Sequence, residues 1–356
     1  MSEVRAKKAL GQHFLVDLNI ARKICDALSG GVRPEAGAET RAVAAGSADA
    51  DAEIRTRVAG YAGAGAEART MAVGSADAGA EARTKATGTA DADAETRRGV
   101  AASADARLAA DTTAAGAPAA AEEERGGAVP CDVLEVGCGM GVLTQFLLRR
   151  GDITTYGAEI DPESVGYLHA HFPEFAPRLI EGDFLKMNLR ERFPRGLKII
   201  GNFPYNISSQ IFFKVLEHRD LVPECVGMIQ KEVAVRIAEP PGSKEYGILS
   251  VLLQAWYDIE YLFTVNETVF NPPPKVKSAV IRLRRNSVGR LGCDEALFVK
   301  VVKASFGQRR KMIRNSLRTV FGDFGGAEHP FFTQRAEQLS VADFVQLTNW
   351  VAANRK

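Results

Sequence analysis

Three glycines interrupt the segment VLEVGCGMGVLT, Val133 to Thr144, at Gly137, Gly139 and Gly141. An apolar run precedes them and an amphipathic run follows. Glycine turns the backbone sharply and admits a ligand close to the main chain. The segment therefore reads as strand, tight turn and helix, a unit that builds parallel sheet. The chain then repeats that rhythm. ITTYGAEID and PESVGYLHAHF are a strand and a helix, with Pro162 in the helix's first turn. RLIEGD, LKIIGN and ECVGMIQ read as strands, and GVLTQFLLRR, SSQIFFKVLEH, KEVAVRIAE and YGILSVLLQAWY as helices. Two late strands, DIEYLFTV and KSAVIRLRR, have little between them and imply an antiparallel edge. Beyond Leu291 the pattern is helical: DEALFVKVVKASF, RRKMIRNSLRTVF and VADFVQLTNWVAAN. The expected fold is α/β, a doubly wound sheet with a small helical C-terminal domain.

Residues 31–128 break this pattern. They are rich in Ala, Gly, Asp, Glu, Thr and Arg and nearly devoid of large apolar side chains. Five 14-residue copies follow one another, beginning with AETRAVAAGSADAD at Ala38 and ending with AETRRGVAASADAR at Ala94. The period is close to four helical turns, but no apolar stripe accompanies it. Such a segment buries too little surface to offset its ordering entropy, so disorder or transient helix is expected. Four parts result. Residues 1–30 carry the amphipathic helix DLNIARKICDALS, with Asp17 or Asn19 as its cap. Residues 31–128 are the insert, 129–288 the sheet domain and 289–356 the helical domain.

Net charge is +1, yet it is unevenly spread. Residues 31–128 hold 11 Lys and Arg against 16 Asp and Glu, and the remainder holds 34 against 28. The part expected to fold is therefore basic. No run of 18 or more apolar residues is present, and the N-terminus lacks the apolar core of a signal peptide, so a cytoplasmic protein with no membrane span is expected. Cys25, Cys131, Cys138, Cys225 and Cys293 include no C-x-x-C pair. Buried structural thiols are expected, with neither a disulfide framework nor a metal site.

The strand ends carry the chemistry. The glycine spacing is G-x-G-x-G, not the G-x-G-x-x-G of dinucleotide enzymes, and nothing cradles a pyrophosphate. A nucleoside without phosphates fits, and S-adenosylmethionine is such a molecule. Glu159 ends the second strand, 22 residues after Gly137. A carboxylate there accepts hydrogen bonds from ribose hydroxyls. Asp183, in EGDF, is placed to take a hydrogen bond from an adenine amine, with Phe184 against the ring. The fourth strand ends in Asn202, Phe203, Pro204 and Tyr205. Pro204 restricts its own φ and pushes Phe203 toward an extended conformation. Asn202 and the nearby carbonyls then present acceptors to an NH2 group, and Tyr205 offers a face for a base. An adenine N6 amine is a poor nucleophile because its lone pair is delocalised. Acceptors that hold both N–H bonds favour a pyramidal nitrogen and stabilise the charge that develops. Alignment with a sulfonium methyl contributes through orientation.

At this point the chain resembles a known family. GQHFL, EVGCGMG, EGDF, GNFPYNIS, FNPPPKVKSAVIRL and SFGQRRKMIRNSL, in order, are similar to the ribosomal RNA adenine N6,N6-dimethyltransferases. The resemblance covers residues 5–30 and about 129–320. It implies a class I methyltransferase fold with a Rossmann-like sheet and S-adenosylmethionine as donor. It implies two adjacent adenosines near the 3′ end of small-subunit rRNA as targets, in the immature small ribosomal subunit. By the same resemblance the cofactor contacts fall on His13, Leu15, Gly137, Gly139, Glu159, Asp183 and Asn202. The catalytic motif falls on Asn202 to Tyr205, and Phe270 sandwiches the target base against Tyr205. His13 stands where the family has Asn or His, and Phe203 replaces a Leu or Ile. The insert is the larger departure. A longer loop adds only about 0.6 kcal/mol of closure entropy per doubling, so the core is expected to fold unchanged.

Lys275 and Lys277 stand beside the last strand, near Arg282, Arg284 and Arg285. Arg309, Arg310, Lys311, Arg314 and Arg318 follow on one expected helix, where positions 310, 314 and 318 share a face. Such a stripe suits RNA phosphates. A monomer is the simplest expectation. Two other readings stay open: a large-subunit rRNA methyltransferase of the macrolide-resistance type, and a mainly non-catalytic assembly factor for the small subunit.

Overall fold

The computed structural model describes residue 4, residues 6–7, 10–30 and 130–355. The expectation for the 31–128 insert lies outside the described residues. Among the described residues the elements, in chain order, begin with β1 (Phe14–Leu15) and α1 (Leu18–Ala27). The sheet region then runs β2 (Cys131–Val136), α2 (Thr144–Leu147), β3 (Ile153–Glu159), α3 (Pro162–His171), β4 (Leu179–Glu181) and α4 (Leu189–Arg192). It continues with β5 (Lys198–Asn202), α5 (Ser208–Glu217), β6 (Glu224–Gln230), α6 (Lys231–Ala238), α7 (Ile248–Gln254), β7 (Tyr257–Val265), β8 (Phe270–Asn271) and β9 (Ser278–Arg285). The last helices are α8 (Glu295–Gly307), α9 (Ile313–Phe321) and α10 (Val341–Asn354).

Seven strands form one sheet in the order β4-β3-β2-β5-β6-β9-β7. β2 to β6 pair in parallel, and β9 pairs antiparallel with both β6 and β7. The antiparallel edge read from the two late strands is therefore present. All six residues of β2 are buried, as a central strand covered on both faces requires. Successive residues feed opposite faces. In β5, Ile199 joins the core under α5 and Ile200 the core under α1, and both are fully buried.

Local chemistry sets the helix ends. The Asp17 carboxylate accepts from the Asn19 and Ile20 amides, which satisfies amides with no helical partner. α1 then lays Ala21, Ile24 and Cys25 on the sheet at helical spacing, and the capping Leu28 joins them. Ile24→Ala would cost roughly 2–5 kcal/mol, as for other large-to-small core changes. Ser340 and Asp343 form a reciprocal capping box at the start of α10. The C-terminal helices share one core cluster with β5, β6 and β9 through Phe298, Val301, Ile313, Leu317 and Phe344.

Two helices differ from expectation. The stretch after the glycine loop holds only the short α2, because a turn at positive φ carries the chain through Gly141. α9 begins at Ile313, because Gln308 ends α8 at φ −126°, ψ 58° and a turn follows. Arg309, Arg310 and Lys311 therefore lie before the helix, and the 310/314/318 stripe does not form. Among the described residues no helix is long and apolar enough to cross a membrane. Cys25, Cys131, Cys138 and Cys225 are buried. Burial raises the Cys25, Cys138 and Cys225 thiols well above their ordinary value, as inert structural cysteines require.

The chain leading to residue 31 is held at the strands' N-terminal ends. Lys198, the first residue of β5, donates from Nζ to the Ser29 and Gly30 carbonyls at 2.9 and 3.0 Å. It also lies 3.1 Å from the Glu224 carboxylate. Glu224 accepts from the Ser29 amide at 3.1 Å and from the Ser29 hydroxyl. Burial opposes ionisation of Glu224, but Ser29 and Lys198 outweigh it and hold the carboxyl below its ordinary value. Arg150 donates to the Cys25 and Leu28 carbonyls.

Candidate active site

The chain winds from β2 to β3 and β4 on one side, then returns to β5 on the other. The reversal opens a crevice at the C-terminal ends of β2 and β5, where ligands bind in sheets of this kind. Gly137 and Asn202 stand at those two ends. Gly137, Gly139 and Gly141 have φ of 76°, 53° and 76°, a region side chains rarely adopt. A Cβ on Gly141 would lie 2.4 Å from the Phe172 ring.

Glu159 holds the loop. Its Oε2 accepts from the Gly139 amide at 2.8 Å, and its Oε1 from the Ile160 and Asp161 amides at 2.9 Å. The side chain is buried. Burial raises its pKa, and the three amides act against that rise. A carboxylate has about four lone-pair sites, so one more donor, such as a ribose hydroxyl, finds a place. A Cβ on Gly137 would stand 3.9 Å from Pro204 Cδ and 4.0 Å from the Asn202 carbonyl. The missing side chain thus leaves a cradle between loop and turn. Backbone, one carboxylate and an adjacent amide fit a nucleoside with no phosphate.

Asn202 donates from Nδ2 to the His13 carbonyl at 2.9 Å. That bond orients the amide and leaves Oδ1 as the acceptor. Phe203 anchors the turn. Its ring is 1% exposed and fills a slot made by Gly201 and Gly227, which pair across β5 and β6. A Cβ on either would lie 2.9 or 2.4 Å from that ring. The Phe203 amide donates to the Met228 carbonyl at 3.0 Å, and the Pro204 carbonyl accepts from Ile207 at 3.2 Å. Phe203 thus contributes packing and main chain rather than an exposed ring. Tyr205 is partly buried, and its hydroxyl meets Ser278 Oγ at 2.5 Å. Burial raises the phenol's pKa, so it stays neutral near pH 7.

The N-terminal segment completes the site. Phe14 and Leu15 pair antiparallel with Asn271 and Phe270. Phe14 lies 3.2 Å from where a Cβ on Gly139 would be. The His13 ring sits 5.3 Å from Tyr205. Lys7, Gln12 and Ser164 converge on the buried Asp161 carboxylate. Burial opposes its ionisation, but these donors prevail and lower its pKa. Sequence reasoning missed Asp161, Ser278, Lys7 and Gln12. Asp161 carried a signal, since an acidic residue before a proline is a helix start.

The structure thus brings together His13, Leu15, Gly137, Gly139, Glu159, Asn202, Pro204 and Tyr205. Others are placed differently. Asp183 Oδ1 accepts from the Leu185 amide at 2.9 Å, capping a short turn. Phe184 is 4% exposed, in the core. Phe270 is 3% exposed and packs with Leu15, Ile24 and Val280. Its backbone pairs with Leu15 of β1. Arg309 donates to the Lys244 and Tyr246 carbonyls. Arg314 pairs with Glu328 and Arg318 with Asp323. Arg282 and Arg284 pair with Glu260. Lys275, Lys277, Arg310 and Lys311 are exposed and have no ion-pair partner among the described residues.

A family model described as ribosomal RNA adenine dimethylase matches residues 130–353. A Parabacteroides distasonis protein named ribosomal RNA small subunit methyltransferase A is 61% identical over 218 residues, covering 61% of this chain and 81% of the relative. A Cytophaga hutchinsonii protein of the same name is 56% identical over 221 residues, covering 62% and 86%. The crystal structure of a Plasmodium falciparum dimethyladenosine transferase aligns with TM-score 0.52 at 25% identity, covering 63% of this chain and 90% of that one.

Proposed function

The chain belongs to the ribosomal RNA adenine dimethylase family, and from that premise we propose a substrate and a set of roles. The activity is S-adenosylmethionine-dependent dimethylation of rRNA adenines. The proposed targets are the N6 amines of two adjacent adenosines near the 3′ end of small-subunit rRNA. The protein acts as a cytoplasmic monomer on immature small subunits. The small-subunit assignment is supported by the names of the relatives.

The single observation that carries the site is the Asn202 bond to the His13 carbonyl. It leaves Oδ1 as a fixed acceptor for one N6–H, and the Phe203 carbonyl takes the other. Two acceptors pyramidalise the nitrogen and oppose the positive charge that grows on it. They also align its lone pair, so catalysis draws on orientation. S-adenosylmethionine, when bound, supplies the sulfonium methyl. Gly137, Gly139, Glu159 and the main chain of His13 and Leu15 hold it, with Asp183 toward its adenine. Tyr205 carries the target base on its ring, and Ser278 fixes that ring's tilt. Lys275, Lys277, Arg310 and Lys311 meet RNA phosphates. Arg309 and Arg314 act indirectly, by shaping that surface.

Labelled cofactor with purified small subunits lacking the modification tests this reading. N6,N6-dimethyladenosine at two adjacent positions of the small-subunit RNA is expected. Product on large-subunit RNA alone would overturn the assignment, and subunit binding without transfer would favour an assembly factor.

A further inference from the structure

One N-terminal residue touches both halves of the site. The His13 carbonyl accepts from Asn202 Nδ2 at 2.9 Å. Its Nδ1 lies 2.9 Å from the Pro272 carbonyl. Its ring lies 5.3 Å from the Tyr205 ring, inclined by 31°. A carbonyl oxygen only accepts, so Nδ1 carries the proton and donates. That donor persists whether the ring is neutral or charged. At its far end Tyr205 is held by Ser278 Oγ at 2.5 Å. The tyrosine is therefore met at two places, its hydroxyl by Ser278 of β9 and its ring by the tilted His13 imidazole. The next residue, Phe14, packs on Gly139 instead. His13 thus divides its contacts. Its main chain reaches Asn202, and its imidazole reaches Tyr205 and the Pro272 turn.

We propose that the His13 imidazole is a positioning residue for the target base: it fixes the Tyr205 ring and the Pro272 turn and so sets where the adenine rests against Asn202. The inference rests on the reading of Tyr205 as the base platform. The carbonyl of residue 13, not its ring, bonds Asn202. The two contacts separate by substitution. Asparagine places an amide N–H near Nδ1 and lacks the ring. Phenylalanine keeps a ring and lacks the donor. Losing a neutral hydrogen bond weakens base placement about fivefold, and losing an aromatic contact weakens it roughly two- to tenfold.

The test compares wild type with His13→Ala, His13→Asn and His13→Phe on unmethylated small subunits. S-adenosylhomocysteine affinity is measured by calorimetry on the same preparations. His13→Ala is expected to lower kcat/KM for the subunit by about tenfold or more, the two losses combined. It should also raise the share of N6-monomethyladenosine, because the second transfer needs the same base replaced in register. His13→Asn and His13→Phe each recover part of both readouts. S-adenosylhomocysteine affinity stays within about threefold throughout, as for a ring that makes no cofactor contact. Should His13→Ala fail to fold, the Asn and Phe variants carry the comparison. Weakened S-adenosylhomocysteine binding with normal subunit kinetics would overturn the inference, as would variants with wild-type kinetics and wild-type product ratio. If wild type itself transfers nothing to small-subunit RNA, the functional reading fails and this inference with it. Normal wild-type transfer with unaffected variants refutes this inference alone.

Discussion

The two poles of the sheet hold the same N-terminal segment in opposite ways. At the strands' C-terminal ends the contacts are spread out and mixed: Asn202 to the His13 carbonyl, Phe14 on Gly139, β1 on β8, and the half-exposed Lys7 on the Asp161 carboxylate. At the N-terminal ends they are dense, charged and buried: Lys198, Glu224 and Arg150 on residues 25–30. The N-terminal pole satisfies its polar groups internally. The open pole keeps acceptors such as Asn202 Oδ1 for something that is not part of the chain. The poles are separated by the length of β5, roughly 17 Å at 3.3 Å per residue. Gly30, bound to Lys198, and Cys131, the first residue of β2, both stand at the charged pole.

The largest effect on stability should come from breaking the charged pole. Glu224→Ala strands the buried Lys198 and should cost about 3–5 kcal/mol in denaturant unfolding. The double change Lys198→Met with Glu224→Leu should recover much of that loss, since it removes both charges. Equal losses for the single and double variants would contradict an ion pair held by mutual need. A smaller, pH-dependent effect belongs to the open pole. Glu135 is buried beneath the glycine loop and accepts from Thr144 Oγ1 at 2.6 Å. Burial pushes its pKa up to about 8. Between the ordinary glutamate value and 8, the native state keeps a proton the unfolded chain has lost, so stability falls as pH rises through that window. Glu135→Gln mimics the protonated form. Its Tm should exceed wild type by on the order of a few degrees at pH 9, with the margin shrinking toward pH 5. A margin that ignores pH would refute that protonation. The smallest effect is expected from excising 31–128. Cofactor affinity should not change, and shortening a connection between fixed ends shifts stability by no more than about 2 kcal/mol, at roughly 0.6 kcal/mol per halving. Loss of cofactor binding on excision would break the separation of the poles.

The alternation of strands and helices and the residues at strand ends were legible in the sequence because their causes are local. Alternating strands and helices, glycines after a strand and a proline after Asn-Phe are short-range signals. What stayed hidden depends on long-range pairing. The pairing of Phe270 with β1, across more than 250 positions, is one such contact. The basic stripe failed for two physical reasons. The turn after Gln308 takes Arg310 off the helix, and Glu328 and Asp323 fold back onto Arg314 and Arg318. Counting charges along a sequence does not show which of them already have partners. The Lys7, Gln12 and Asp161 cluster was invisible for the same reason.

The central claim is that Asn202 is oriented for chemistry rather than for cofactor retention. The direct measurement is Asn202→Ala, followed by labelled methyl transfer to unmethylated small subunits and by S-adenosylhomocysteine calorimetry on the same preparation. Removing one preorganised acceptor should lower kcat by about 10²–10³-fold, with S-adenosylhomocysteine affinity and subunit binding nearly retained. Transfer at the wild-type rate, or a loss explained wholly by weaker cofactor binding, would contradict the account.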